Sequence, residues 1–429
     1  MNISDNNSRL SGIKKAVAAA AMAAALLLPA SAKAQEVTNP YSMLGYGMLR
    51  DGATSAQRQM GGVGYAMRSG RQINAMNPAS YAAIDSLTFL FDMGINLSRN
   101  DLKQGTAKEG RWGGGLDYIT MQFPLGKYMG GSIGIVPVST VGYAFGNEIV
   151  NGTELREGTG GLNQLYAGVA GRPFKGLTIG ANISYLFGTI EHSVLVTPTG
   201  STTALFQQSL EVRDYKIDLG VQYGFGWGQN ELTLGATYSP GKTLLGHASV
   251  TKYDTTNDLT SNEILADTVI QRIKMKNNFE MPETWGAGIN YKWRNALTVE
   301  ADFTYQPWSD CKFLKMDNFS STRLADRYRV ALGADYRHRE RGSYLQRMHF
   351  RLGGFYNRDY VMVGDNNVRD YGVTCGLGLP TPYGKTLINI GFEWRHREAY
   401  PKSLITDNHF SITLGLNLNE LWFFQRKIN

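Results

Sequence analysis

Histidine, arginine and cysteine are the residues of this chain with the most chemistry to offer, and their spacing limits what they can do. The six histidines, His192, His247, His338, His349, His396 and His409, are scattered. No Ser/His/Asp order can be preferred among them. His349 and His409 fall at strand starts, where a barrel-embedded hydrolase would place them, but positions in loops or at an interface suit them better. The runs RHRER (Arg337 to Arg341) and RHRE (Arg395 to Glu398) match neither a zinc-ligand pattern nor a phosphate loop, and read as solvated or headgroup-facing charge. GGVG at Gly61 to Gly64 lacks the strand-to-helix setting of a nucleotide fingerprint. Cys311 and Cys375 make no framework, and two separate thiols fit them better than one bridge. The expectation is therefore a protein without catalytic residues, cofactor or metal.

The elements that carry these residues are more informative. From Leu87 the odd positions read Leu87, Phe89, Phe91, Met93, Ile95, Leu97, while Thr88, Asp92, Asn96 and Ser98 lie between them. The same alternation recurs at Leu177 to Phe187, Tyr215 to Phe225 and Phe410 to Leu418. Period two over roughly ten residues is the length a tilted strand needs to cross a bilayer. Composition agrees: 50 Gly and 11 % aromatic residues against 18 % charged residues suit strands rather than helices. A soluble sandwich alternates too, but here aromatic residues cluster near the ends of the apolar faces, as in an interfacial girdle.

The ladders predict about fourteen strands, starting near residue 86 and ending near 419. Connections after odd strands are long and polar (RNDLKQGTAKEGRWGGG, GYAFGNEIVNGTELREGTGGL), and those after even strands are short (PLGKY, RPFKG, GWGQN). This parity belongs to an outer-membrane barrel with both termini in the periplasm. Pro240 and Pro282 interrupt two ladders; they predict strand kinks, or a split into sixteen strands. Residues 1–34 read as a signal peptide: Arg9, Lys14 and Lys15 precede the apolar run Ala16 to Leu28, and Ala32-Lys33-Ala34 offers a cleavage site. Trp422, Phe423 and Phe424 are expected to serve as the terminal interface aromatics. The net charge of +7 is spread out, without a basic run that would suggest nucleic acid.

Residues 35–85 fit no ladder. Gly61, Gly62, Gly64 and Gly70 and the pair Asn77-Pro78 favour tight turns, yet the segment is too apolar for a disordered tail. Burial inside the barrel as a plug is the economical solution. Met60, Val63, Met67 and Met76 would line an apolar ligand path there, since Met adapts to irregular ligands, or would simply pack the plug against the wall.

The chain resembles the FadL-type outer-membrane transporters of hydrophobic compounds, in a divergent form like those of Bacteroidetes. QMGGVGYAM followed by Asn77-Pro78-Ala79, LTLGATYSPGKTLLGHASV, and MPETWGAGINYKWRNALTVEADFTYQPWSD carry the resemblance. It implies an all-β fold: a fourteen-stranded transmembrane barrel over 86–429, an N-terminal hatch over 35–85 that includes Gly61, Gly62 and Asn77-Pro78-Ala79, and release of ligand through a wall opening beside a kinked strand. The expected function is passive uptake of a hydrophobic small molecule such as a long-chain fatty acid. Expected partners are outer-membrane lipid and lipopolysaccharide and the barrel-assembly machinery. Two rival readings are a porin for small polar solutes, compatible with the inward charges Asp214, Lys216, Asp218, Glu300 and Asp302, and a docking component of surface-protein secretion.

Overall fold

The computed structural model describes residues 39–199, 203–257, 264–276, 279–313, 323–381 and 386–421, of which 254–257, 264–276 and 421 are described in the main chain alone. All lie in one compact unit, Glu36–Asn429. The expected signal peptide and Trp422, Phe423 and Phe424 lie outside the described residues.

Fourteen antiparallel strands close into a barrel. They are β1 (Thr88–Gln104), β2 (Ala107–Gly126), β3 (Met129–Ile149), β4 (Gly152–Gly171), β5 (Leu177–Pro198), β6 (Thr203–Trp227), β7 (Asn230–Ser239 and Gly246–Asn257), β8 (Ile264–Lys276 and Thr284–Trp293), β9 (Leu297–Gln306), β10 (Arg327–Tyr336), β11 (His349–Val363), β12 (Asn366–Pro380), β13 (Leu387–Tyr400) and β14 (Thr406–Leu421). Closure is direct: β14 pairs with β1 from Thr88↔Leu421 to Lys103↔Thr406. The outward face is apolar and bare, with Ile179, Ile183, Leu219, Val221, Ile412 and Leu414 all exposed, while Thr178, Asn182, Gln222, Thr413 and Asn417 are buried inside. Apolar outside and polar inside is the pattern of a transmembrane barrel wall. Among the described residues no helix is long and apolar enough to cross a membrane.

The stretches that the sequence predicts as long polar loops are instead largely strand: β1 and β2 continue to a turn at Gly105-Thr106, and β3 and β4 to Val150-Asn151. Here both strand faces meet solvent, as at Lys103 to Arg111, so the apolar half of the alternation vanishes while pairing persists. The long-hairpin end faces outside by the rule for such barrels.

The wall is interrupted twice. β7 breaks after Ser239, at Pro240, and β8 breaks before Thr284, at Pro282; between the pieces Lys242–Thr243 pairs with Glu280–Met281. A proline has no N–H for the ladder. The two broken strands still pair with each other above and below, so the wall has fourteen strands rather than sixteen. The second interruption lies between β2 and β3. They pair only from Ile119↔Ile135 down to Gly126↔Met129, although β2 follows β1 to Ala107 and β3 follows β4 to Ile149. The split falls where β2 bulges at Asp117, which has no partner between Gly94↔Tyr118 and Ile95↔Leu116, and where β3 carries Pro137.

Candidate functional site: the lumen and its N-terminal segment

Residues 39–84 are largely buried against the inner face of the wall and touch most of its strands. Around the lower lumen the wall presents glycines wherever the segment passes. A Cβ at Gly180 would lie 2.6 Å from the carbonyl of Pro78, and one at Gly220, Gly235, Gly333 or Gly415 would run into Asn77, Tyr65, Met60 or Ser55. At Gly180, Gly235 and Gly333 the glycine is required by close approach of backbone to backbone, and at Gly220 and Gly415 it leaves room for the Asn77 and Ser55 side chains. Pro78–Ala83 forms a 3-10 helix capped by Asn77, whose side chain accepts from Ala79 N. Asn77 also donates to the carbonyls of Tyr65 (2.6 Å) and Val221 (3.4 Å). Pro78 suits the first helical turn, where a missing N–H costs nothing.

Gly61 and Gly62 have φ of 73° and 76°, and the turn they make offers both carbonyls to the Arg329 guanidinium. Met60, Val63 and Met67 are buried against Ala331 and Phe355 of the wall. Met76 is half-buried, and its N–H donates to Asn74. The inward carboxylates Glu300 and Asp302 are occupied by the segment: Asp302 accepts from Gly64 N (2.6 Å) and Tyr65 N (3.0 Å), and Glu300 from Ala66 N (3.0 Å).

Higher in the lumen the character changes. Tyr41, Leu44, Tyr46 and Met48 pack into an apolar cluster with Val141, Tyr143, Leu186, Ile190, Leu210, Trp308 and Tyr360. Met48–Leu49 forms a short strand on the freed edge of β3, paired with Thr140 and Ser139. Arg50 N donates to Val138 O and Asn39 N to Gly142 O. At the split itself, the bulged Asp117 is approached by Arg50 and Arg58 from the segment and by Asn96 from β1. Opposite, Asp51 is gripped by Arg327 (2.8 Å) and Arg329 (3.2 Å) of β10. Burial pushes the Asp51 carboxyl up, but the two guanidiniums outweigh it and hold the group well below the usual carboxylate range.

Between these contacts lies a cavity of about 90 Å³, lined by Arg50, Arg58, Arg327, Arg329, Arg395 and Arg397 with Asp51, Asp359, Asp370 and Glu393. It suits water and charge. The charge pairs had no sequence signal beyond inward polarity, since their partners lie up to 278 positions apart, as Asp51 and Arg329 do.

The histidines stay apart. His349 bonds Asp335, His409 bonds Asn100, His192 bonds Tyr143 and His396 bonds Asn408. Cys311 and Cys375 are both free. Among the described residues no group of acids, histidines and cysteines is placed to hold a metal.

The family model described as BamG matches residues 13–429. No curated protein sequence matches. Among solved structures, the chain is similar to a Pseudomonas aeruginosa FadL homologue (TM-score 0.62, 12 % identity, 87 % of this chain and 99 % of that one). It is also similar to the P. putida toluene transporter TodX (TM-score 0.60, 14 % identity, 86 % and 98 %) and the Ralstonia pickettii toluene transporter TbuX (TM-score 0.58, 15 % identity, 86 % and 98 %). At such identities the likeness is one of fold.

Proposed function

Because this chain belongs to the BamG family and shares the fold of hydrophobic-compound channels, we propose that it is an outer-membrane barrel closed by a hatch, its N-terminal segment, and that it passes hydrophobic molecules sideways. The observation that carries this reading is the β2–β3 split, where the segment's own strand Met48–Leu49 lies on the freed edge. A long-chain fatty acid or similar molecule would enter from outside, displace Tyr41, Leu44, Tyr46 and Met48 from the apolar cluster, and leave at the split. Straight passage is the poorer route. Stripping water from the cavity's charges costs several kcal/mol per ion, whereas each buried CH2 returns only about 0.8 kcal/mol. In this reading Asn77-Pro78-Ala79 and Gly61-Gly62 anchor the hatch. Met60, Val63 and Met67 hold it to the wall and line a path only once it moves. The bare outer face meets membrane lipid and lipopolysaccharide.

The test is uptake of oleate and of toluene into liposomes holding the mature chain, beside a variant whose segment is tethered to β3 by a disulfide between Leu49→Cys and Ser139→Cys. Uptake that stops on oxidation and returns on reduction supports the reading. Equal uptake in both states removes it.

A second reading is favoured by the match over nearly the whole chain to the BamG family and by the charged, filled lumen: a non-conducting barrel that works beside the barrel-assembly machinery. Co-purification of that machinery in mild detergent, with no oleate uptake, would select it.

A further inference from the structure

Among the described residues, the split leaves two strand edges that no other strand of the wall completes. From Ala107 to Asp117, β2 has β1 on one side and, among the described residues, no strand on the other. At about 3.3 Å per residue this edge runs on the order of 35 Å, longer than an ordinary strand needs. Natural sheets rarely leave such an edge bare, because its unpaired N–H and C=O groups template the addition of another strand. The tip is guarded by Lys108, Glu109 and Arg111, but Trp112 to Leu116 carries no charge and includes Gly113, Gly114 and Gly115. The facing edge of β3 already takes up an extended chain, since Met48–Leu49 pairs with it antiparallel.

We propose that the edge of β2 from Trp112 to Leu116 is a docking site for an extended β-strand of a partner polypeptide, added through main-chain hydrogen bonds. The flanking wall sets the chemistry of that strand. Trp112, Gly114 and Leu116 alternate on the outward face, where Trp112 is 64 % and Leu116 52 % exposed. Inward, Asp117 meets Arg50 and Arg58. A strand laid here must put apolar side chains outward beside Trp112 and Leu116 and polar ones inward, which is the period-two pattern of a transmembrane barrel strand. Trp112 supplies the large, rigid contact that anchors such interfaces. This inference does not need the uptake reading: a strand can dock whether or not a small molecule passes.

The probe is a biotinylated synthetic peptide with the sequence of Phe410 to Leu418, which carries the required alternation. Full-length protein in nanodiscs carries photoreactive benzoylphenylalanine at position 112, or at position 225 on the outward face of β6 as a control. The expected result is cross-linking at 112 and not at 225, reduced at least tenfold when alternate amides of the peptide are N-methylated in one of the two possible phases. Equal yield at both positions, indifference to N-methylation in both phases, or no cross-linking at 112 overturns the proposal. The last two outcomes would leave the edge to lipid or to the chain's own residues. Gly113→Pro and Gly114→Pro provide an independent check, because one of two successive N–H groups faces the open edge. Heat-modifiable gel migration confirms that the barrel has formed. Peptide capture should fall at least tenfold in one of the folded variants, and unchanged capture in both overturns the proposal.

Discussion

The two interruptions of the wall are closed in different ways. Where β7 leaves β6, the wall is tied mainly by its own side chains: Lys242 bonds Asp214 (2.7 Å) and sits 3.4 Å over the Tyr215 ring, Leu245 N donates to Asp214 (3.0 Å), and Ser239 bonds Asp218, while the segment adds Tyr46, whose hydroxyl donates to Glu280 O (2.9 Å). Where β3 leaves β2, the repair comes from residues 39–58, a part of the chain that is not wall. In the proposed reading, a break stitched by neighbours stays shut while a break covered by a separate segment opens when that segment shifts. The same contrast exists within the segment. Its lower half is fixed against glycines, and its upper half is held by ion pairs and apolar contacts that can be exchanged.

The largest test of this contrast is Asp117→Ala. It leaves the buried side of two guanidiniums without their carboxylate, a loss of about 3–5 kcal/mol for a buried pair broken on one side. The expected outcome is a folded barrel whose single-channel conductance in planar bilayers rises above that of the parent; a silent variant would mean that the ion pairs do not hold the split shut. Next is Gly180→Val, which forces side-chain atoms into the carbonyl of Pro78 at a cost of about 1–3 kcal/mol. Release of the lower half should make a cysteine at Ala79 react with a periplasmic-side maleimide, which it should not do in the parent. Alongside it stands Asp214→Ala at the stitched break, about 1.5–3 kcal/mol for a hydrogen bond to a charged group. This variant should unfold at lower denaturant concentration yet conduct no more than the parent. Conductance equal to that of Asp117→Ala would erase the distinction between the two breaks.

What the sequence disclosed follows from what period two encodes. Leu87 to Leu97 and Phe410 to Leu418 announce a bilayer-facing strand because lipid on one side and filler on the other impose opposite polarity on successive residues. The short connections mark the strand ends on one side of the wall, the long ones conceal strand that continues past the apolar ladder, and Pro240 and Pro282 mark where two ladders break. The β2–β3 split was not legible. Its causes, the bulge at Asp117 and Pro137, are single residues inside otherwise acceptable strands, and the split exists only because β3 finds a different partner in Met48–Leu49. The glycines that admit the segment read in sequence only as a mark of strands in general, since nothing local separates a lumen-facing Gly180 from one in a flat sheet. The cavity charges were equally hidden: Asp51 finds Arg327 only after the barrel closes.

The smallest expected effect concerns pH, and its sign follows from Asp51. Its carboxyl is held below the ordinary range by Arg327 and Arg329 against the opposing pull of burial, and its side chain is 22 % exposed. A carboxyl depressed in the folded state contributes stability that is complete above its unfolded pKa, roughly 4, and is lost as pH falls toward the depressed value. Between pH 8 and 5 the part of the grip that Asp51 supplies should therefore not change. Below about pH 4 the contact weakens and conductance should climb. Asp51→Asn has no proton to gain, so if it loses this acid step while Asp117→Asn keeps it, the rise belongs to the β10 side of the segment. A rise already present between pH 7 and 5 would instead place the titrating group elsewhere, and Asp51 would be a fixed strut rather than part of the catch.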